Sequence, residues 1–331
     1  MPTLADVAKI AGVGVMSVSR VVNGTRRVSP EVERKVRAAI GKIGYEPNEA
    51  ARILKGHRAQ VIGLIVPDLA DPFFAICANA VQDAALEAGY MTLMSASGHR
   101  EDVERQQTEI MMQRRVAGLL VIPSGTQNDH FAAVIKMGVP IVSFDRPLER
   151  VEADALVVDN RAASVRMTKH LIDHGHRYIL CVADDENIFT KTERVAGYSE
   201  AMRRAKLPTQ VCLTGPISGP LSNQLEFALN SISPPTAIFA TSNVLATQVF
   251  RELQKRSIRI PDKMALAAFD DFDAATLIRP TITVIRQPIA ELGKQATELL
   301  LARLRKDAMD SPLKIVLRAE IVIRQSCGCR K

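Results

Sequence analysis

Thr3-Leu4-Ala5-Asp6-Val7-Ala8-Lys9-Ile10-Ala11-Gly12-Val13-Gly14-Val15-Met16-Ser17-Val18-Ser19-Arg20-Val21-Val22-Asn23-Gly24 opens the chain and decides how its N-terminal end folds. Leu4 to Ala11 carries apolar residues at helical spacing, with Thr3 placed as an N-cap and Asp6 in the first turn. Gly12-Val13-Gly14 breaks that helix, and Val15 to Asn23 forms a second one, ended by Asn23-Gly24. Two short helices joined by a glycine-containing turn make a helix-turn-helix, whose second helix fits the major groove of B-DNA. A third helix is predicted from Ser29-Pro30, as N-cap and first helical residue, to about Ile43. Its stripe of Val32, Val36, Ala39, Ile40 and Ile43 closes a small core over the first two. Gly12-x-Gly14 does not start a dinucleotide loop, because a helix precedes it and Ser17 takes the place of the third glycine.

Charge points the same way. Residues 1–58 hold 11 Lys and Arg against five Asp and Glu, a balance of +6 out of +7 for the 331-residue chain. The other 273 residues carry 32 basic against 31 acidic side chains. A cationic head on a neutral body is the electrostatic footprint of a nucleic-acid binder. Within that head Arg20 can donate two parallel hydrogen bonds to guanine, whereas Val15 and Met16 can only meet a thymine methyl or exclude polar edges. Ser17, Ser19, Asn23 and Ser29 carry short polar groups suited to phosphate oxygens. Capping or solvation accounts for Ser17 and Ser19 equally well.

Thr3-Leu4-Ala5-Asp6-Val7-Ala8, Ala11-Gly12-Val13, Ser17 to Gly24 and Gly44-Tyr45-Glu46-Pro47-Asn48 closely resemble the LacI/GalR family of bacterial transcription regulators, and the likeness continues along the chain. The resemblance implies base reading by Val15, Met16 and Arg20, and adds Thr3 and Asn48 to the phosphate contacts. Pro47 to Gly56 is too short for a stable isolated helix. By resemblance it is a hinge helix that folds in the minor groove, with Ala51, Leu54 and Lys55 at the DNA and Leu54 wedged into a base step. The alternative is a plain linker.

After Gln60, apolar runs at 61–66, 91–94, 118–122 and 140–144 alternate with helical stretches at about 72–88, 100–113 and 130–137. A second series of runs follows at 155–158, 178–181, 237–240 and 265–269. Buried parallel strands with crossover helices are the expected reading, giving an α/β body of two doubly wound lobes around a cleft. Ile289 to Leu304 is an amphipathic helix that, by resemblance, returns to the first lobe of a periplasmic-binding-protein-like architecture. The expected division is a head at 1–46 and a hinge at 47–58, then a first lobe at 59–159 with 289–325 and a second at 160–288.

In the cleft, Asp71 and Pro72 are explained by capping, and Phe73 points at the ligand by resemblance. Asp145 and Arg146 follow a strand end. Arg194 and Asp270 match the family's effector-contacting arginine and aspartate, and Thr190, Ser242 and Gln287 complete the implied set. Ser242-Asn243 replaces the usual Asn-Asp, and Ile188 stands where purine-binding members carry an arginine, which argues for a sugar, sugar acid or related polar metabolite.

No signal peptide or apolar run of membrane length is visible, so a cytoplasmic protein with reduced thiols is expected. Cys77, Cys181 and Cys212 sit in apolar elements, and Cys327-Gly-Cys329 is expected in a solvent-exposed tail without a metal. His170, His174 and His176 span a helix end with no carboxylate pattern to complete a site. The tail has no leucine heptads, so a dimer on a pseudo-palindromic operator is expected rather than a tetramer. Nothing points to a catalytic motif or a cofactor. The expected function is an effector-controlled transcription regulator, most simply a repressor, with a phosphorylated carrier protein as an alternative partner. An enzyme on the same two-lobed fold is the reading that the basic head opposes.

Overall fold

The structure, a computed structural model, describes residues 2–23, 28–45, 60–184, 188–307 and 311–329. The chain divides into two compact units, Met1–Ala59 and Gln60–Lys331. The expected hinge, with Asn48, Ala51, Leu54 and Lys55, lies outside the described residues.

The head contains α1 (Leu4–Ala11), α2 (Val15–Asn23) and α3 (Pro30–Ile43). Thr3 and Asp6 form a reciprocal capping box: Thr3 Oγ1 accepts the Asp6 N–H at 3.3 Å, and the Asp6 carboxylate accepts the Thr3 N–H at 2.8 Å. Gly12 ends α1 in the left-handed region at φ 65°, which a side chain would resist. Ser29 Oγ accepts the Val32 N–H at 3.4 Å to cap α3. Val7, Val18, Val36 and Ala39 form the small core with Tyr45, and Val32, Ile40 and Ile43 pack at its edge.

The body's strands are β1 (Val61–Val66), β2 (Met91–Ala96), β3 (Leu119–Val121), β4 (Ile141–Phe144), β5 (Asp154–Val158), β6 (Ile179–Asp184), β7 (Gln210–Thr214), β8 (Ala237–Ala240), β9 (Ala265–Phe269), β10 (Thr283–Arg286), β11 (Lys314–Leu317) and β12 (Glu320–Val322). Its helices are α4 (Pro72–Glu87), α5 (Glu101–Gln113), α6 (His130–Lys136), α7 (Asn160–Asp173), α8 (Phe189–Arg204), α9 (Leu221–Leu229), α10 (Asn243–Lys255), α11 (Ala274–Leu277) and α12 (Ile289–Arg305). One sheet runs β11-β5-β4-β3-β1-β2, all parallel. The other runs β12-β10-β9-β8-β6-β7, parallel except for β12 against β10.

The pairing bears on the expected lobes at two places. Ala155–Val158, grouped with the second series of runs although the division at 159 leaves it in the first lobe, belongs to the first sheet, between β4 and β11. Residues 289–325 do not all belong to the first lobe, because β12 crosses over and pairs with β10. The crossing is pinned by Asp159, whose Oδ1 accepts the Ala319 N–H at 2.8 Å, while Arg166 bonds both Asp159 and the Ala319 carbonyl at 2.8 Å. This bond set ties the segment after β5 to the connection between β11 and β12. α12 packs on α4, and α7 lies along α8, where a Cβ on Gly197 would sit 2.3 Å from the Arg161 carbonyl oxygen.

The tail is not solvent-exposed as expected. Ser326 Oγ accepts the Thr283 N–H at 2.8 Å and donates to the Leu266 carbonyl, which draws Cys327 into the body at 1% exposure. Cys77, Cys181 and Cys212 are buried. Among the described residues no helix is long and apolar enough to cross a membrane.

Candidate functional site

The strands of each sheet end toward a cavity of about 490 Å³ between the lobes. Parallel strands with crossover helices bring strand C-termini and helix N-termini to the same edge, so such a cleft collects polar groups by construction. The first lobe contributes Asp145, which follows β4 with φ 63°; the second contributes Asp270, which follows β9 with φ 71°. Phe144-Asp145 and Phe269-Asp270 repeat one device: a buried aromatic ends the strand, and a left-handed aspartate turns its carboxylate into the cleft.

Each carboxylate is held by a cation. Arg146 Nε donates to Asp145 Oδ2 at 3.2 Å and its Nη1 to the Pro123 carbonyl at 2.8 Å. Burial pushes the Asp145 carboxyl up, against the pull of Arg146 and Arg194. Arg194 is buried and donates from Nε to Asn160 Oδ1 at 2.8 Å, and from Nη1 to the Thr241 carbonyl at 2.8 Å and Asp270 Oδ2 at 3.2 Å. Its guanidinium carbon stands 3.7 Å from the Phe269 ring centroid. Gln287 Nε2 donates to Asp270 Oδ1 at 2.5 Å, while Gln287 Oε1 is buried without a hydrogen-bond partner. Asp271 is clamped by both Arg324 terminal nitrogens at 2.8 Å, which fixes the end of β9.

Phe73, Asp145, Arg146 and Thr190 all line this cavity, as do Arg194, Ser242, Asp270 and Gln287. Arg194 and Asp270 form one ion pair at 3.2 Å within the second lobe. Ser242 Oγ is used to cap α10 through the Leu245 N–H at 3.3 Å. Phe74 lines the cavity edge-on to Phe73 at 5.2 Å and is buried. Asp68, His99, Asp184 and Lys191 also line it and were missed by sequence. Asp184 ends β6 as a strand-end carboxylate and pairs with Lys191 at 3.0 Å, so its position just past an apolar run was the available signal.

In the head, Val15 and Met16 are 48% and 71% exposed at the start of α2, and Arg20 Nη2 lies 4.0 Å from Met16 Sδ one turn on. These side chains form one outward face. Ser17 and Ser19 are half-buried on the same helix. Asn23 is the last residue of α2. Thr3 and Ser29, expected at phosphates, have their hydroxyls engaged as caps.

A helix-turn-helix head and a two-lobed body with a polar interlobe cleft define a ligand-responsive DNA-binding regulator. Residues 3–48 match the bacterial regulatory proteins of the lacI family, and residues 168–327 match the periplasmic binding protein-like domain. The chain is 31% identical to the HTH-type transcriptional regulator DegA of Bacillus subtilis, over 98% of this chain and 97% of the relative. It is 31% identical to the HTH-type transcriptional repressor PurR of Photobacterium profundum, over 98% of each. The solved complex of the transcriptional regulator CelR with cellobiose superposes with a TM-score of 0.72 at 27% identity, covering 98% of this chain and 100% of that one. The chain belongs to the LacI family of bacterial regulators: it is a DNA-binding transcriptional repressor with an effector-binding, periplasmic-binding-protein-like body, and not an enzyme.

Proposed function

We propose that the cleft binds a polyhydroxylated metabolite, a sugar or sugar acid, and that its occupancy controls how tightly a homodimer of this chain holds a pseudo-palindromic operator in the cytoplasm. The observation that carries this reading is the pair of strand-end carboxylates, Asp145 and Asp270, presented from opposite lobes into one cavity. Charged carboxylates accept hydrogen bonds from hydroxyls, and the guanidinium partners donate to ring oxygens or a single carboxylate. Asp68, Asp71, Asp145, Asp184 and Asp270 face the cavity against Arg146, Lys191 and Arg194, a formal balance of five negative to three positive. That excess disfavours multiply charged phosphates. Ile188, buried at the cleft wall, offers no donor to a purine, although a purine repressor is among the relatives. The CelR complex supports a sugar, since that protein holds cellobiose.

Thermal unfolding of the full chain with sugars, sugar acids and nucleosides tests the reading. A ligand at 100 times its dissociation constant adds ~2.7 kcal/mol. Stabilisation by nucleobases and by no sugar would overturn it.

For the head, Arg20→Ala is expected to cost about 1–3 kcal/mol on the specific operator and to relax preference at one base pair per half-site. Competition binding against single-base operator variants reads this. Equal losses on operator and random DNA would assign Arg20 to the phosphates.

A further inference from the structure

Outside the cleft, the described residues bring one cluster of metal-ligating side chains together: His170, His174 and Cys329 each place a ligand atom within 4.8 Å of the others. His170 and His174 sit one turn apart at the C-terminal end of α7 and share one face. Cys329 Sγ lies 3.1 Å from His170 Nε2, and Cys327 Sγ lies 2.8 Å from Cys329 Sγ. Gly328 makes that approach, because its φ of 74° folds the Cys-Gly-Cys turn so that the two sulfurs meet beside His170.

We propose that Cys327, Cys329, His170 and His174 form a structural zinc site that staples the chain end to α7. Two sulfurs and two imidazoles are the donor set that selects a tetrahedral, borderline-soft divalent cation. Ligand atoms about 2.0–2.3 Å from one ion stand roughly 3.3–3.8 Å from each other in a tetrahedron, so His170, His174 and Cys329 close on an ion with shifts of about an ångström, while Cys327, 2.8 Å from the Cys329 sulfur, swings further in to complete the set. His174 already has the orienting bond that zinc-bound imidazoles carry: its Nδ1 lies 2.7 Å from the His170 carbonyl oxygen. That contact fixes the proton on Nδ1 and leaves the Nε2 lone pair for the metal. Loading exchanges two thiol protons for Zn²⁺, so two H⁺ leave per ion bound.

The chain end is positioned before the ion arrives. Ser326 is bonded to β9 and β10 as described above, the Gln325 N–H reaches the Thr281 carbonyl at 3.0 Å, and Cys327 is almost fully buried. At its other end α7 presents Asn160 to Arg194. Its 14 residues put the metal cluster about 20 Å from the cleft. The site is therefore a fastening of the second lobe and no part of effector binding.

Tag-free full-length protein, reduced with a non-chelating phosphine and stripped of metal, is titrated with Co²⁺ and then Zn²⁺. The expected result is one Co²⁺ per chain with a tetrahedral, thiolate-bearing absorption spectrum, bleached by one equivalent of Zn²⁺. His174→Gln, an exposed change that leaves the fold intact, and Cys329→Ser should each weaken Zn²⁺ binding by more than about tenfold. His176→Gln, whose ring Nδ1 bonds Thr236 at 2.9 Å instead, should leave it unchanged. An octahedral cobalt spectrum without sulfur bands, or wild-type affinity in both variants, overturns the proposal. So does a Cys327–Cys329 disulfide that forms in air while the reduced protein takes up no stoichiometric metal.

Discussion

Arg194→Ala is expected to destabilise the body by about 3–5 kcal/mol and to abolish its stabilisation by the cleft ligand. The cause is what the side chain leaves behind. Arg194 satisfies Asn160, the Thr241 carbonyl and Asp270 at once, and its guanidinium covers the Phe269 ring. Without it Asp270 is a buried carboxylate whose remaining partner is the Gln287 amide. Breaking a buried pair from one side costs far more than replacing both members. The double variant Arg194→Met/Asp270→Asn should therefore recover part of the lost stability and none of the ligand response. Urea unfolding with and without ligand separates the two effects. Wild-type unfolding and a wild-type ligand shift in the single variant would remove Arg194 from both roles.

Glu104→Gln is expected to remove a loss of stability of about 3 kcal/mol that the wild type suffers between pH 4.5 and 8. Glu104 lies in α5 with its side chain fully buried, and Oε2 accepts the Ser124 N–H at 2.7 Å. Burial pushes its carboxyl up to about 7, opposed by the bonds from Ser124. Because the folded value is raised above the unfolded one, the stabilising contribution is complete below the ordinary carboxylate range and is lost as pH rises through about 7. Oε1 has no hydrogen-bond partner, and His130 Nε2 stands 3.6 Å away. Burial lowers the His130 imidazole, so that residue acts in the opposite sense, losing stability as pH falls. The difference between wild type and variant isolates the carboxyl. Melting temperatures at intervals from pH 4.5 to 8 should diverge, with the variant gaining steadily toward alkaline pH. Parallel curves would show that Glu104 titrates as an exposed acid.

What the sequence showed and hid follows from how local each signal is. The head was legible because its boundaries are written in caps: Thr3 with Asp6, Gly12, and Ser29 with Pro30 are consecutive or nearly so. Central strands β1, β4, β8 and β9 were legible because burial on both faces demands continuous apolar runs. The edge strands β7 and β11 alternate exposed and covered residues over five and four positions, too short to stand out from loops. In the cleft, Asp145, Arg194 and Asp270 were named, but the pairing of Arg194 with Asp270 joins residues 76 apart. Glu104 sits in Glu101-Asp102-Val103-Glu104-Arg105, which reads as a solvated helix face until Ser124 is packed on it. The Cys-Gly-Cys tail looked unpartnered because His170 is 159 residues away.

In the proposed function, cleft occupancy and operator affinity are coupled in one molecule. Differential contacts of the ligand with two lobe arrangements must change DNA binding if closure repositions the heads, and such coupling amounts to 5–150-fold in typical allosteric proteins, or ~1–3 kcal/mol. The direct measurement is the dissociation constant of the purified full-length chain for its operator, by fluorescence anisotropy at fixed salt, titrated with the metabolite that raises its melting temperature. The expected result is a change of at least about fivefold in one direction, absent in Arg194→Met/Asp270→Asn. A ligand that saturates the cleft and leaves the operator dissociation constant unchanged would contradict it.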